Sequence, residues 1–121
     1  MLTVGVDIVE IHRVKDALDR RGERFLKRIY TEAELALYRD RLSELAVRFA
    51  GKEATMKALG TGIRGIGWRE IEILPNRRGK PLIFLHGRAK ERAKRLGLGE
   101  LAISLSHSEN YAVASVVGGT S

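Results

Sequence analysis

What most limits the folds open to this chain is the order in which its apolar residues change period. Val4, Val6 and Ile8 recur every second residue, alternating with Thr3, Gly5, Asp7 and Val9, which predicts a strand over 2–9. Ile11, Val14 and Leu18 then recur at helical spacing to about Arg21, with Gly22 placed to end that helix. A short helical turn follows around 25–29. Thr31, with Glu34 three residues on, fits a capping box and predicts a helix through Leu35 and Tyr38 toward Leu42. Ser43 can cap the next helix, which runs through Leu45, Phe49, Ala50 and Met56 to Leu59, with Gly60 as its stop. After a loop with glycines at 60, 62, 65 and 67, Ile71 and Ile73 alternate as a strand, 75–80 turns, and 81–85 returns. A basic helix over 88–96, closed by Gly97, leads to two last strands, 101–105 and 111–117, joined at Glu109-Asn110.

Strand, helices, two strands, helix and two strands in that order argue an α+β fold. The expected architecture is one small domain over residues 1–121, with a mixed or antiparallel sheet packed against helices. A chain of 121 residues buries roughly two-thirds of the surface it exposes when unfolded, enough for one core. There are no cysteines, which excludes disulfides and cysteine-ligated zinc and suits a reducing cytoplasm. The apolar N-terminus carries Asp7 and Glu10 and no basic leader, so it does not read as a signal peptide. No uncharged apolar run approaches the ~20 residues that span a bilayer. The net charge of +7 is concentrated: residues 77–95 hold eight Lys or Arg and one acid, Glu91. Such a segment implies an anionic ligand or partner.

Asp7 is the first residue that could carry chemistry. A carboxylate inside an apolar strand is costly to bury unpaired, so a metal, a cation or solvent at a sheet edge must meet it. On the long helix Glu53 and Lys57 are i,i+4 neighbours. They read either as an exposed ion pair or as a cation ligand and a phosphate contact on one face. The loop Gly60-Thr61-Gly62-Ile63-Arg64-Gly65 can bring backbone amides to a phosphate, but lacks the Gly-Lys-Ser/Thr ending of a P-loop. Ser106 and His107 end a strand in a hydroxyl-rich turn. They read as local hydrogen-bonding groups or as donors to phosphate oxygens.

Three segments together are more specific than any alone. These are 5–10 (GVDIVE), 48–54 (RFAGKEA) with 57–62 (KALGTG), and 103–108 (ISLSHS). In this order, and with Gly79-Lys80-Pro81 between them, they resemble the short, single-domain holo-acyl-carrier-protein synthases among the phosphopantetheinyl transferases. The resemblance implies transfer of phosphopantetheine from coenzyme A to a serine of an acyl carrier protein, in fatty acid biosynthesis. It implies that Asp7 and Glu53 bind magnesium and that Lys57 contacts a coenzyme A phosphate and assists proton transfer. Arg48, Gly60, Thr61, Gly62, Pro81, Ser106 and His107 would line the nucleotide site, and Arg13 and Arg24 would grip the acidic carrier. It also implies a homotrimer with active sites between protomers. Gly51 stands where many relatives carry alanine, a change expected to cost a little helix stability. The rival reading is a small basic protein that binds nucleic acid through 77–95. Aromatics are only 6% of the chain, which leaves few platforms for stacking bases.

Overall fold

The structure is a computed structural model that describes residues 1–120; Ser121, the last residue of the expected domain, lies outside that range. The elements run β1 (Leu2–Glu10), α1 (Ile11–Arg21), α2 (Glu23–Ile29), α3 (Glu32–Tyr38), α4 (Leu42–Leu59), a 3₁₀ turn (Trp68–Glu70), β2 (Ile71–Pro75), β3 (Pro81–Leu85), α5 (Gly87–Arg95), β4 (Leu98–His107) and β5 (Tyr111–Thr120). Gly22 separates α1 from α2, its N–H donating to Leu18 O at 2.8 Å. The capping box at Thr31 is present, with Glu34 N donating to Thr31 Oγ1 and Thr31 N to Glu34 Oε1.

Two boundaries differ from the sequence reading. The third helix stops at Tyr38, and α4 begins at Leu42 with Arg41 at its N-cap and no side-chain cap. Ser43 therefore sits inside the first turn. The final strands are also longer than expected, because β5 pairs with β1 to its end, Leu2 opposite Gly119. The end glycines that look like breakers are ladder residues.

All pairings are antiparallel and fall into two sheets, one ordered β1-β5-β4 and the other the β2-β3 hairpin. Between them lies α4, buried on almost every side, from Leu45 through Ala50, Ala54 and Met56 to Leu59. A helix apolar all round belongs at the centre of a domain. Its small residues let both sheets approach. Gly51 is an example: a Cβ there would come within 2.6 Å of Ile73 Cδ1 and 3.1 Å of Ile103 Cδ1. The glycine that weakens the isolated helix therefore makes room for β2 and β4.

The alternation in β1 has an unexpected sense. Thr3, Gly5, Asp7 and Val9 turn inward to α4, while Val4, Val6 and Ile8 face out, 65, 58 and 62% exposed. Within the apolar core lies a buried ion pair. Lys52 and Glu34 are both fully buried, with Lys52 Nζ 2.8 Å from Glu34 Oε1 and also donating to Trp68 O and Ile71 O. Glu34 Oε2 accepts from Ile73 N at 2.8 Å. This network ties α3, α4 and β2 together.

Removing one partner of such a pair strands the other charge. Lys52→Met should therefore cost about 3–5 kcal/mol, read as a lowered midpoint in denaturant unfolding. A loss under about 1 kcal/mol, the size of an exposed pair, would show that the network carries little.

Candidate active site

The site begins with a contact between backbones. A Cβ on Gly5 would collide with the Ala54 carbonyl oxygen and stand 2.8 Å from Ala58 N. Only glycine lets α4 lie this close to β1. Thr3 adds a tie, its Oγ1 donating to Ala58 O at 2.7 Å. Residues one turn apart on α4 then face the strand two positions on. Lys57 Nζ stands 3.1 Å from Asp7 Oδ1 and donates to Val6 O at 3.0 Å. Glu53 lies beside Asp7 at the same cavity. Burial raises the Glu53 carboxyl first and the Asp7 charge second, against the pull of Lys57, and together they push it up to about 7.

A cavity of about 470 Å³ opens here, with Asp7, Glu53 and Arg13 on its polar side and Val14, Phe25 and Phe49 on its apolar side. Phe49 stacks between Phe25 and Trp68, centroids 6.3 and 4.9 Å away. Two carboxylates held together in a half-buried cleft are hard oxygen donors, and they fit a divalent cation that completes its shell with water and phosphate. Among the described residues no three His, Cys, Asp or Glu side chains converge, so the ligand would supply the remaining oxygens.

One turn beyond Lys57, α4 ends in the left-handed region at Gly60 (φ +71), whose N–H donates to Lys57 O and Met56 O. The loop that follows holds Thr61, and its Oγ1 is the one buried side-chain polar atom among the described residues with no hydrogen-bond partner.

The other expected residues stand apart in one chain. Arg48 is buried and serves as a strut: Nε donates to Ile73 O, Nη1 to Glu44 and Nη2 to Tyr38 Oη, with the guanidinium 3.7 Å over the Tyr38 ring. Its expected place lining a nucleotide site is not beside Asp7. Arg48 and Pro81 share a second cavity of about 460 Å³ with Leu105. Ser106 pairs across Val113 to Ile8, so it lies on the face opposite Asp7. From β1 to β4 is two strand spacings, about 10 Å. His107 is exposed at the end of β4.

Arg13 lies 3.3 Å from Glu10 and borders the first cavity. Arg24 stands with Arg21 and Arg28 around Phe25. Arg28 escaped the sequence reading, although its i,i+4 spacing from Arg24 was a signal. The Lys52–Glu34 pair left no comparable signal, since eighteen residues separate the partners.

The sequence profile of the 4'-phosphopantetheinyl transferase superfamily matches residues 3–116. The holo-acyl-carrier-protein synthase of Herpetosiphon aurantiacus is 50% identical over 125 aligned residues, covering 98% of both chains. That of Dehalococcoides mccartyi is 49% identical, covering 97% of this chain and 98% of its own. The crystal structure of the Helicobacter pylori holo-acyl-carrier-protein synthase, in complex with coenzyme A, superposes with a TM-score of 0.87 at 35% identity, over 96% of this chain and 99% of that one. The Neisseria meningitidis synthase gives 0.90 at 34%, over 98% of each.

Because the folded state holds the Glu53 proton more tightly than the unfolded state, stability should fall as pH rises from about 4.5 through about 7, then level off. Measured in metal-free buffer by denaturant midpoints, Glu53→Gln should remove that slope. A slope unchanged in the variant would place the titration elsewhere.

Proposed function

The chain belongs to the 4'-phosphopantetheinyl transferase superfamily, and from that membership we propose that it moves the 4'-phosphopantetheine of coenzyme A to a serine of an apo acyl carrier protein, leaving 3',5'-ADP. The observation that carries this reading is the meeting of Asp7 and Glu53 at one cavity, with Lys57 paired to Asp7, from motifs fifty residues apart that resemble the family's. The nucleic-acid alternative finds no support beside a family match over nearly the whole chain.

Asp7 and Glu53 would hold magnesium, which would supply positive charge to the pyrophosphate oxygens. Lys57 adds its own charge at the same end of α4 and helps neutralise the charge that builds as the bridging oxygen leaves. The serine oxygen forms the new bond to the pantetheine phosphorus, and its proton passes to Glu53 or to a water Glu53 holds. The lysine also explains why Asp7 is tolerated without metal: the ammonium is its counter-ion. The arginines of α1 and α2, Arg13 and Arg24 with Arg21 and Arg28, offer the acidic carrier a basic rim beside the cavity. This chemistry belongs to fatty acid biosynthesis and is placed in the cytoplasm. Among the described residues no helix is long and apolar enough to cross a membrane.

The split of the site supports a homotrimer. Leu2, Val4, Val6, Ile8 and Val117 leave the outer face of the β1-β5-β4 sheet apolar and uncovered. A contiguous patch of this kind marks an interaction surface. Ser106 lies on that same face, whereas Arg48 and Pro81 line a separate cavity with Leu105 on the α4 side of the sheet, and together they would form a second half-site. A neighbouring copy would bring this second half-site to the Asp7 cavity, completing active sites between protomers.

Two tests follow. Mass spectrometry of an apo carrier incubated with the protein, coenzyme A and magnesium should show the gain of one phosphopantetheine. Asp7→Asn and Glu53→Gln should each lose on the order of 10²-fold or more in activity and weaken magnesium binding. The double variant should lose far less than the product, because ligands of one ion act as a unit. Independent, multiplying losses would rule out a shared ion. The assembly is tested by light scattering, which should give three times the chain mass. Val6→Lys should give monomers with little activity, and a fully active monomer would defeat the shared-site arrangement.

A further inference from the structure

The basic segment 77–95 has one member that turns toward the site. Arg92, on α5, donates from Nε to Leu59 O at 2.9 Å, across thirty-three residues of sequence. It thereby closes the C-terminal end of α4, where unpaired carbonyls carry partial negative charge. That charge would repel a phosphate approaching the Gly60–Gly62 loop, and Arg92 offsets it.

Arg92 also has donors left over. Among the described residues no acceptor meets its Nη groups, and no carboxylate pairs with it, whereas Arg88 one turn earlier is bound to Glu70. The free edge of the guanidinium lies beside the bare backbone of the loop. A Cβ on Gly60 would meet only Arg92 Nη2, at 3.5 Å, and one on Gly62 would meet nothing within 4 Å. The buried and unpartnered Thr61 Oγ1 lies between these glycines. Lys57 stands one turn earlier on α4, its ammonium beside Asp7.

We propose that Arg92 binds a phosphate of the nucleotide half of coenzyme A over the Gly60–Gly62 loop, acting with Lys57 across the last turn of α4. This rests on the transferase reading above. A planar guanidinium with two free Nη groups suits phosphate oxygens, which it can meet with parallel hydrogen bonds. Of the other cations of the segment, Arg77 and Arg78 stand on the β2-β3 turn, Arg88 is held by Glu70, and Lys90 and Lys94 border a different cavity with Phe84 and Leu98.

The test is calorimetric titration with 3',5'-ADP, which needs neither carrier nor turnover. Arg92→Leu should weaken binding about tenfold to a hundredfold, the range for a lost hydrogen bond to a charged group. Arg92→Lys keeps the charge but not the planar fork, and should recover part of that loss. In turnover, Arg92→Leu should raise KM for coenzyme A and leave KM for the carrier unchanged. Wild-type affinity in Arg92→Leu overturns the proposal. So does an Arg92→Lys protein as weak as Arg92→Leu, which would confine the residue to closing α4. A wild-type protein that binds no 3',5'-ADP overturns both this proposal and the transferase reading.

Discussion

The contact between Gly5 and the backbone of α4 governs this structure. Side chains normally hold a helix about 10 Å above a sheet, and here the absence of one lets Ala54 and Ala58 rest on the strand itself. Everything at the site is measured from that seat. Asp7 is two residues along β1, and Glu53 and Lys57 are on the turn of α4 that the contact presses down. A carboxylate pair would repel itself apart on a looser frame. Here the backbone contact, the Thr3 hydroxyl and the Lys57 ammonium hold it in place. Site geometry and core packing are therefore one problem in this protein.

The distribution of polarity follows from the same seat. With α4 against β1 at Gly5, the inner face of the strand carries Thr3, Gly5, Asp7 and Val9, and strand alternation sends Val4, Val6 and Ile8 outside. The interior compensates by other means. Lys52 and Glu34 are buried together, and each spends its hydrogen-bonding capacity on backbone groups of β2, the 3₁₀ turn and the α3 cap. A buried pair of this kind is weak evidence for stability but fixes which element meets which. Arg48 does similar service between α3, α4 and β2. One apolar outer sheet face and three buried charges within an apolar core mark a fold shaped for what covers it and what it holds.

Strand parity separates Ser106 from Asp7. Residues on one face of a strand stay on that face across the whole ladder. Asp7 aligns with Ala114 and Leu105, and Ile8 with Val113 and Ser106. No side-chain rotation brings Ser106 round to Asp7 within one chain. The motif residues that the family resemblance groups together are grouped in sequence order, which carries no information about faces.

The sequence by itself determined the elements and most of their ends. Period-2 and helical spacing located β1, α1, α4 and the hairpin, and the Thr31–Glu34 pattern and Gly60 marked helix ends by local hydrogen bonding alone. The motif set also named Asp7, Glu53 and Lys57 as residues to watch, although spacing left an ordinary exposed pair equally open. The helix boundary at Leu42 and the length of β5 were less legible, since a cap can be left to backbone groups and a ladder can carry glycine at its edge. Only the tertiary structure decided which face of β1 is inside. Alternation shows that a strand has two faces, and the choice between them rests on a close approach at a residue with no side chain. Only the fold decided that Lys52 meets Glu34 and that Arg92 reaches α4. Such contacts depend on how elements pack after the chain has closed on itself, and local pattern does not record that.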